Sequence, residues 1–338
     1  NQATKVQPAV ILCDLLMSGV DGLEICRQIK KHPDLARTFF ILITARPDLR
    51  DRINGFEAGA DDFLTRPVDL VELQARVRSA LQFYLTNQDL VAQKRRLDEE
   101  FAAAAAYVRA LLPPPMTELV QIDTCFIPSI RLGGDCFDYY WLDPDFLLIY
   151  LLDVSGHGLG ATLPSITVHN TLRSQMLPGV NFYSPSRVLS ALNETFELTE
   201  GTLKYFTIWY GIYDRRKRLL MYASAGHPPG VVVTSAQGEQ PATAHSLNRG
   251  GLPIGMMPDI KFETHRFVVP PDSQLYLFSD GIYEIQDLPA EVTWDLATFT
   301  QQLAERPADS AEEFVDWVRS HCQQTHFADD LSLIRVRF

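Results

Sequence analysis

The chain is short of the residues that would staple it, anchor it in a bilayer or draw it to a polyanion. Its five cysteines, Cys13, Cys26, Cys125, Cys136 and Cys322, are scattered, odd in number and without CxxC spacing. That pattern excludes a disulfide framework and a cysteine-held zinc, and it fits a reducing compartment. Although 46% of the residues are hydrophobic, no uninterrupted apolar run approaches the roughly twenty residues that cross a bilayer, and no secretory signal opens the chain. Basic residues are in deficit, with 30 Lys and Arg against 42 Asp and Glu and a net charge of −12. This argues against nucleic acid or an anionic membrane as the main partner. The local basic cluster Arg215-Arg216-Lys217-Arg218 reads as a solvent-facing hairpin turn. At 338 residues the chain is long for one core and comfortable for two, so a soluble, cytoplasmic, multi-domain protein is expected.

Glycine and proline are missing from residues 69–112, a stretch rich in Ala, Leu, Gln, Arg and Glu. It predicts one long helix or a closely spaced pair. In one heptad register Phe83, Leu90, Leu97, Ala104 and Leu111 share a seam position, with Asn87, Lys94, Phe101 and Val108 at the other. A seam with polar Asn87 and Lys94 suits a coiled-coil homodimer whose register those residues fix; the alternative is a monomeric helix packed on its own domains.

What the chain does have is aspartate in strand-to-turn settings: Asp135 in Gly-Gly-Asp, Asp153 in Leu-Asp-Val-Ser-Gly-His-Gly, Asp280 in Phe-Ser-Asp-Gly, and Asp329-Asp330 in Ala-Asp-Asp-Leu-Ser. An aspartate after a strand is most often a turn residue, but a set delivered from distant segments is what a hard divalent cation needs. Mg²⁺ and Mn²⁺ take carboxylate and carbonyl oxygens. Gly133, Gly134, Gly156 and Gly281 let backbone or substrate approach without a Cβ in the way. Together these features describe a two-metal phosphate-hydrolysing site.

The motifs Gly133-Gly134-Asp135-Cys136-Phe137-Asp138, Asp153-Val154-Ser155-Gly156-His157-Gly158, Ala225-Gly226-His227-Pro228-Pro229, Ser279-Asp280-Gly281 and Asp329-Asp330-Leu331-Ser332 resemble those of the SpoIIE/RsbU-type branch of the metal-dependent protein phosphatases (PPM, protein phosphatase 2C-like). The resemblance covers residues 111–338. It implies two Mn²⁺ or Mg²⁺ ions sharing Asp153 and a water, one completed by Asp280 and Asp329, the other by Asp135 and the Val154 carbonyl. Such a pair would remove phosphate from serine or threonine directly, without a covalent enzyme intermediate. A helix starting near Gly158 would aim free N–H groups at the anion. His157 is either a proton donor to the leaving oxygen or a structural hydrogen-bonder. His227 reads as a loop-shaping residue, and Arg131 as a phosphate contact or a solvated strand-end arginine.

Strands are expected at 119–127, 132–142, 146–153, 205–213, 219–224, 230–234, 263–269, 274–279 and 331–337, and helices at 158–177, 185–198, 294–304 and 310–323. That pattern predicts an α+β fold of two stacked antiparallel sheets covered by helices, which the resemblance sharpens to a β-sandwich flanked on both faces.

Ahead of the long helix, apolar strands ending at Asp14, Thr44 and Thr65 alternate with helices, as in a doubly wound parallel α/β sheet whose ligands bind beyond the strands' carboxyl ends. Thr44, Phe63 and Arg66 follow Asp14 by 30, 49 and 52 residues. These offsets resemble a response-regulator receiver domain, with Asp14 as phosphoacceptor, Thr44 as the hydroxyl that follows the phosphoryl group, Phe63 as aromatic switch and Arg66 at the position usually held by lysine. Only thirteen residues precede Asp14, where a receiver has two strands and two helices, so a partial receiver is expected. Its Mg²⁺ would require an acidic pair that lies outside this sequence.

The expected organisation is a partial receiver at 1–84, a helical linker at 85–112 and a phosphatase domain at 113–338. The resemblance implies a response regulator with serine/threonine phosphatase output, acting on a phosphorylated anti-sigma-factor antagonist of the STAS type in bacterial partner switching. A histidine kinase or phosphotransfer protein would serve Asp14, and the segment 108–115 would govern the catalytic core. The alternative is a catalytically silent adaptor that binds a sigma factor or its regulator under receiver control.

Overall fold

Apolar strands alternating with amphipathic helices build the first part of a computed structural model that describes residues 2–17, 19–45, 49–128, 132–196, 205–234, 242–247, 250–289, 292–306, 308–324 and 327–338. The chain divides into two units, Asn1–Glu100 and Phe101–Phe338. In the first, a short helix α1 (Gln2–Val6) precedes β1 (Val10–Asp14), a two-residue ribbon β2 (Leu16–Met17) and β3 (Val20–Asp21), α2 (Gly22–Lys31), β4 (Phe39–Thr44), α3 (Leu49–Glu57) and β5 (Asp62–Thr65). Strands β1, β4 and β5 form a parallel sheet in that order. Helix α2 starts at Gly22 because the Asp21 carboxylate accepts the Leu23 N–H at 2.9 Å as its N-cap. One face of the sheet buries Cys13, Phe40, Leu42 and Phe63 together with Cys26 of α2, and the other buries Ile41 and Leu64 with Ala80.

The stretch without glycine or proline is one 42-residue helix, α4 (Leu70–Leu111). Arg76 ties its first turns to β5 through Asp62, at 2.6 Å, and Arg95–Glu99 and Arg96–Glu100 are i,i+4 pairs on its surface. Phe83, Leu90 and Leu97, the expected seam, are all more than half exposed.

The second unit is a β-sandwich. Its strands are β6 (Gln121–Ile127), β7 (Cys136–Asp143), β8 (Phe146–Val154), β9 (Phe206–Asp214), β10 (Leu219–Ala225), β11 (Gly230–Thr234), β12 (Thr243–Leu247), β13 (His265–Val268), β14 (Ser273–Phe278) and β15 (Leu331–Arg337). Its helices are α5 (Leu159–Arg173), α6 (Pro185–Thr195), α7 (Leu296–Glu305), α8 (Ala311–His321) and a single 3₁₀ turn at Asp280–Ile282. The sheets run β13-β10-β9-β8-β7 and β12-β11-β14-β15-β6, antiparallel throughout.

Strand β8 shows why the sequence reads as it does. Leu147, Ile149 and Leu151 face the second sheet, where they meet Leu275, Leu277, Ile334 and Val336. Leu148, Tyr150 and Leu152 face outward, where Val168, Leu172, Val188 and Leu189 of α5 and α6 cover them. Burial on both faces turns the usual alternation of an antiparallel strand into a continuous apolar run. On the outer face of the second sheet, Tyr276, Phe278 and Leu333 pack under Phe299, Phe314 and Val318 of α7 and α8.

Three expectations shift. The strand expected from 132 begins at Cys136, because residues 132–135 turn inward to place Asp135. The helix expected to 177 stops at Arg173, and Gln175 takes a left-handed φ of 53°. The edge strand β12 was not foreseen: Thr-Ala-His-Ser-Leu is mostly exposed and polar, and only pairing with β11 identifies it. The basic cluster is the β9–β10 turn, as expected, but it is tied down: Arg216 pairs with Asp145 at 2.5 Å, and Arg218 donates to the Val269 and Pro270 carbonyls. Among the described residues no helix is long and apolar enough to cross a membrane.

Gly211, in the centre of β9, has the Trp209 ring lying where a Cβ would sit, and Trp209 is fully buried. Gly211→Ala is expected to destabilise the domain by about 2 kcal/mol through overpacking, read as a lower urea midpoint. An unchanged midpoint would show that the ring has room to move.

Candidate active site

Strand direction brings the acidic residues to one end of the sandwich. Asp153 continues the inward row of Leu147, Ile149 and Leu151 and is the penultimate residue of β8. Asp280 opens the 3₁₀ turn directly after β14 and Ser279, and Asp329 and Asp330 precede β15, the neighbour of β14. The Ser279 hydroxyl stitches those two strand ends together, donating to the Asp330 carbonyl at 3.2 Å and accepting the Ser332 N–H at 2.9 Å.

Glycines set how closely the segments approach. A Cβ on Gly133 would overlap the Asp330 carboxylate, one on Gly134 the Val154 carbonyl, and one on Gly281 the Asp330 carbonyl. The Gly134 N–H donates to Asp330 Oδ2 at 2.7 Å. Helix α5 is fastened to the same loop: the Gly158 N–H donates to the Leu132 carbonyl at 3.0 Å and the Thr162 hydroxyl to the Gly133 carbonyl at 2.8 Å. Gly158, with φ 72°, caps α5 without a side-chain hydrogen bond.

The carboxylates raise one another's pKa values. Burial, then Asp280, Asp329 and Asp330, push Asp153 up to about 8. Burial, then Asp329 and Glu284, push Asp280 to about 6. Asp135 is held well above the usual carboxylate range by burial, Asp153 and Asp330. The Ser279 and Ser332 hydroxyls pull the other way, yet neither Asp135 oxygen closes a hydrogen bond among the described residues. A fully buried carboxylate without a donor is costly, and an oxygen-only donor set beside the Val154 carbonyl suits a hard divalent cation. Among the described residues no three of these side chains close on one point as a finished metal cage; they are gathered around the site and open.

Asp329 is exposed and its Oδ1 accepts the Asp330 N–H at 2.8 Å. His157 is exposed between Gly156 and Gly158, both with positive φ. Arg131 lies outside the described residues. Sequence reasoning named Asp330 as half of the Asp329-Asp330 pair without giving it a role, and it did not single out Glu284. Asp330 is buried against Gly133 and Gly134; its twin Asp329 hid it, since nothing in an Asp-Asp pair says which one turns inward. Glu284 lies four residues beyond Asp280, a spacing that becomes informative only once a helical turn follows the strand. Asp138, three residues after Asp135, turns instead to Arg173 of α5, at 3.0 and 3.1 Å. It helps line a cavity of about 710 Å³ with residues 110–118, a cavity lined by none of the clustered carboxylates.

In the first unit, Asp14 and Arg66 meet at the carboxyl ends of β1 and β5, with Arg66 Nη2 2.6 Å from Asp14 Oδ2. The Thr44 carbonyl accepts the Arg66 N–H at 2.8 Å, so β4 delivers Thr44 to the same edge, where it is buried. The Phe63 ring is turned inward, stacked edge-on to Phe56 at 4.9 Å and filling the space above Gly55.

Residues 143–338 match the model of the stage II sporulation protein E (SpoIIE) family, and residues 1–78 match the response regulator receiver domain. Phosphoserine phosphatase RsbP of Bacillus subtilis is 30% identical over 179 residues, which is 52% of this chain and 42% of RsbP. Phosphoserine phosphatase RsbU of the same organism is 26% identical over 265 residues, 75% of this chain and 74% of RsbU. Among solved structures, the SiaA-PP2C domain of Pseudomonas aeruginosa superimposes with a TM-score of 0.61 at 18% identity, over 73% of this chain and 99% of that one. The last likeness is one of fold.

Raised carboxyl pKa values have a sign. Without a cation, the folded site holds protons that the unfolded chain releases near pH 4, so the stability these groups contribute is full below that pH and is lost as pH rises through about 6 for Asp280 and about 8 for Asp153. A cation replaces those protons. Mn²⁺ is therefore expected to raise the melting temperature more at pH 8 than at pH 6, measured by differential scanning fluorimetry; an equal or smaller rise at pH 8 would contradict the assigned sign.

Proposed function

Because the chain belongs to the SpoIIE family and opens with a match to a response regulator receiver domain, we propose that it is a metal-dependent serine/threonine protein phosphatase governed by phosphorylation of Asp14. The observation that carries this reading is the buried Asp135 carboxylate, neither of whose oxygens closes a hydrogen bond among the described residues, close enough to Asp153 to feel its charge, a place where a cation would replace the proton. Two Mn²⁺ or Mg²⁺ ions would share Asp153, one held further by Asp280 and Asp329 and the other by Asp135 and the Val154 carbonyl. Bound there, they lower the pKa of a water and offset charge on a transferring phosphoryl group.

The protein's own groups do the rest. The uncapped first turn of α5 presents N–H donors and the positive end of the helix dipole to a phosphate. Asp330 holds the Gly-Gly-Asp loop in place through the Gly134 N–H. His157, exposed on the turn into α5, is the group free to protonate a departing serine oxygen.

The substrate in this reading is a phosphorylated anti-sigma-factor antagonist of the STAS type, supported by similarity to two phosphoserine phosphatases, RsbP and RsbU. A histidine kinase or phosphotransfer protein supplies Asp14, with Arg66 against the phosphoryl group and Thr44 following it. The exposed seam of Phe83, Leu90 and Leu97 on α4 fits a second copy of the chain, giving a cytoplasmic homodimer with the receiver at 1–84, the linker at 85–112 and the phosphatase at 113–338.

Mn²⁺-dependent hydrolysis of p-nitrophenyl phosphate and of a phosphoserine peptide tests this. Asp153→Ala and Asp280→Ala are each expected to lower kcat more than about a hundredfold. A parent that binds Mn²⁺ but turns over neither substrate would favour the silent adaptor instead.

A further inference from the structure

His227 is almost fully buried, on the short crossing 226–229 that leads from β10 in the first sheet to β11 in the second. The crossing lies at the acidic end of the sandwich, because Ala225 pairs with Ile208 and Asp153 pairs with Thr207 in the same sheet. Its backbone has little freedom. Gly226 sits at φ 69° against Pro253, the His227 carbonyl accepts the Ser224 hydroxyl at 3.2 Å, and Pro228 and Pro229 follow.

A residue that only shapes a loop needs no partner for its ring. The His227 ring is bonded to the first sheet and lies beside the second. Nδ1 lies 2.9 Å from the Thr207 hydroxyl, on the strand position directly opposite Asp153. The ring's other neighbour is the Phe278 backbone, the group that favours its protonated form, two residues before Asp280. Nε2 is buried and makes no hydrogen bond among the described residues.

We infer that His227 is a positioning residue for Asp153 and Asp280: an imidazole strut, bonded to Thr207 and lying beside the Phe278 backbone at the end of β14, that sets the spacing of those two carboxylates. The inference rests on the reading that the pair holds a divalent cation. Burial pushes the imidazole pKa down to about 3, so the strut carries no charge at working pH and adds no repulsion to a cation. The neighbours select a tautomer: Nδ1 accepts from the Thr207 hydroxyl and Nε2–H points to the Phe278 side. Asp280 repels Asp153 while both are unneutralised, and a ring bonded to Thr207 and placed beside the end of β14 opposes spreading of the two strand ends. Groups that orient metal ligands typically change metal affinity or activity by about 10- to 100-fold when removed.

The test uses the full chain with Thr207→Val and His227→Phe, which keep side-chain volume and remove the polar link. Mn²⁺ affinity is measured by calorimetry, folding by thermal melts in chelator, and p-nitrophenyl phosphate kinetics as a function of Mn²⁺. Each variant is expected to melt within a few degrees of the parent and to bind Mn²⁺ about tenfold more weakly. Saturating Mn²⁺ is expected to return kcat to within about twofold of the parent, separating lost positioning from lost chemistry. His227→Gln, which keeps donor and acceptor atoms, is expected to recover part of the affinity. An unchanged Mn²⁺ affinity in Thr207→Val overturns the inference even if His227→Phe fails to fold. A parent that takes up no Mn²⁺ overturns it together with the metal site, whereas a parent that binds Mn²⁺ without turnover leaves the affinity comparison to decide on its own.

Discussion

Like charges held close together repel, and the second unit is organised around carrying that repulsion. Asp135, Asp153, Asp280, Asp329 and Asp330 arrive from four separate segments, and burial together with the neighbouring carboxylates raises the pKa values of Asp135, Asp153 and Asp280. Left to themselves such groups would spread or stay protonated. They are kept close by backbone: glycines at 133, 134 and 281 remove the Cβ atoms that would force the segments apart, while Ser279 and the Gly134 N–H pin the strand ends and the loop. The arrangement concentrates negative charge that protons relieve when no cation is bound and that a bound cation would relieve in their place.

The sandwich supplies the rigidity this demands. Strand β8 is packed on both faces, so the position of Asp153 at its end is fixed by six buried side chains before it. Strands β14 and β15 are covered by α7 and α8 through an aromatic cluster that includes Phe278, Phe299 and Phe314, which fixes Asp280 and the Asp329-Asp330 pair in the same way. The Asp138–Arg173 pair and the Thr162–Gly133 bond lock α5 to the loop that carries Asp135. Each acid is thus placed by a strand end or a glycine turn, the parts of a β fold that vary least with side-chain motion.

The first unit handles a carboxylate in the opposite way. Asp14 is partly exposed and meets the Arg66 guanidinium directly, so its charge is balanced by a side chain. The inward Phe63 and buried Thr44 lie on the neighbouring strand ends. Helix α4 begins in this unit and ends in the other, with no glycine or proline to interrupt it.

Much of this was written in the local sequence. The seamless helix followed from the absence of breakers, the strands of both units from apolar runs, and the acids from their strand-to-turn settings, because each depends on neighbours within a few residues. The apolar strands ending at Asp14, Thr44 and Thr65 likewise placed Asp14, Thr44 and Arg66 at one sheet edge. Other features depended on contacts between residues far apart in the chain. That residues 132–135 leave the sheet, that Asp330 and not Asp329 turns under Gly133, that Asp138 faces Arg173, and that β12 is a strand at all were decided by tertiary packing. So was the place of His227, whose following prolines suggested a loop and whose ring proved to be buried and bonded to Thr207, opposite Asp153. Sequence alone determined which chemical groups the protein owns and which local elements carry them. Only the tertiary structure decided which face one another, since that rests on pairings such as Gly134 with Asp330, 196 residues apart, whose closure no local pattern encodes.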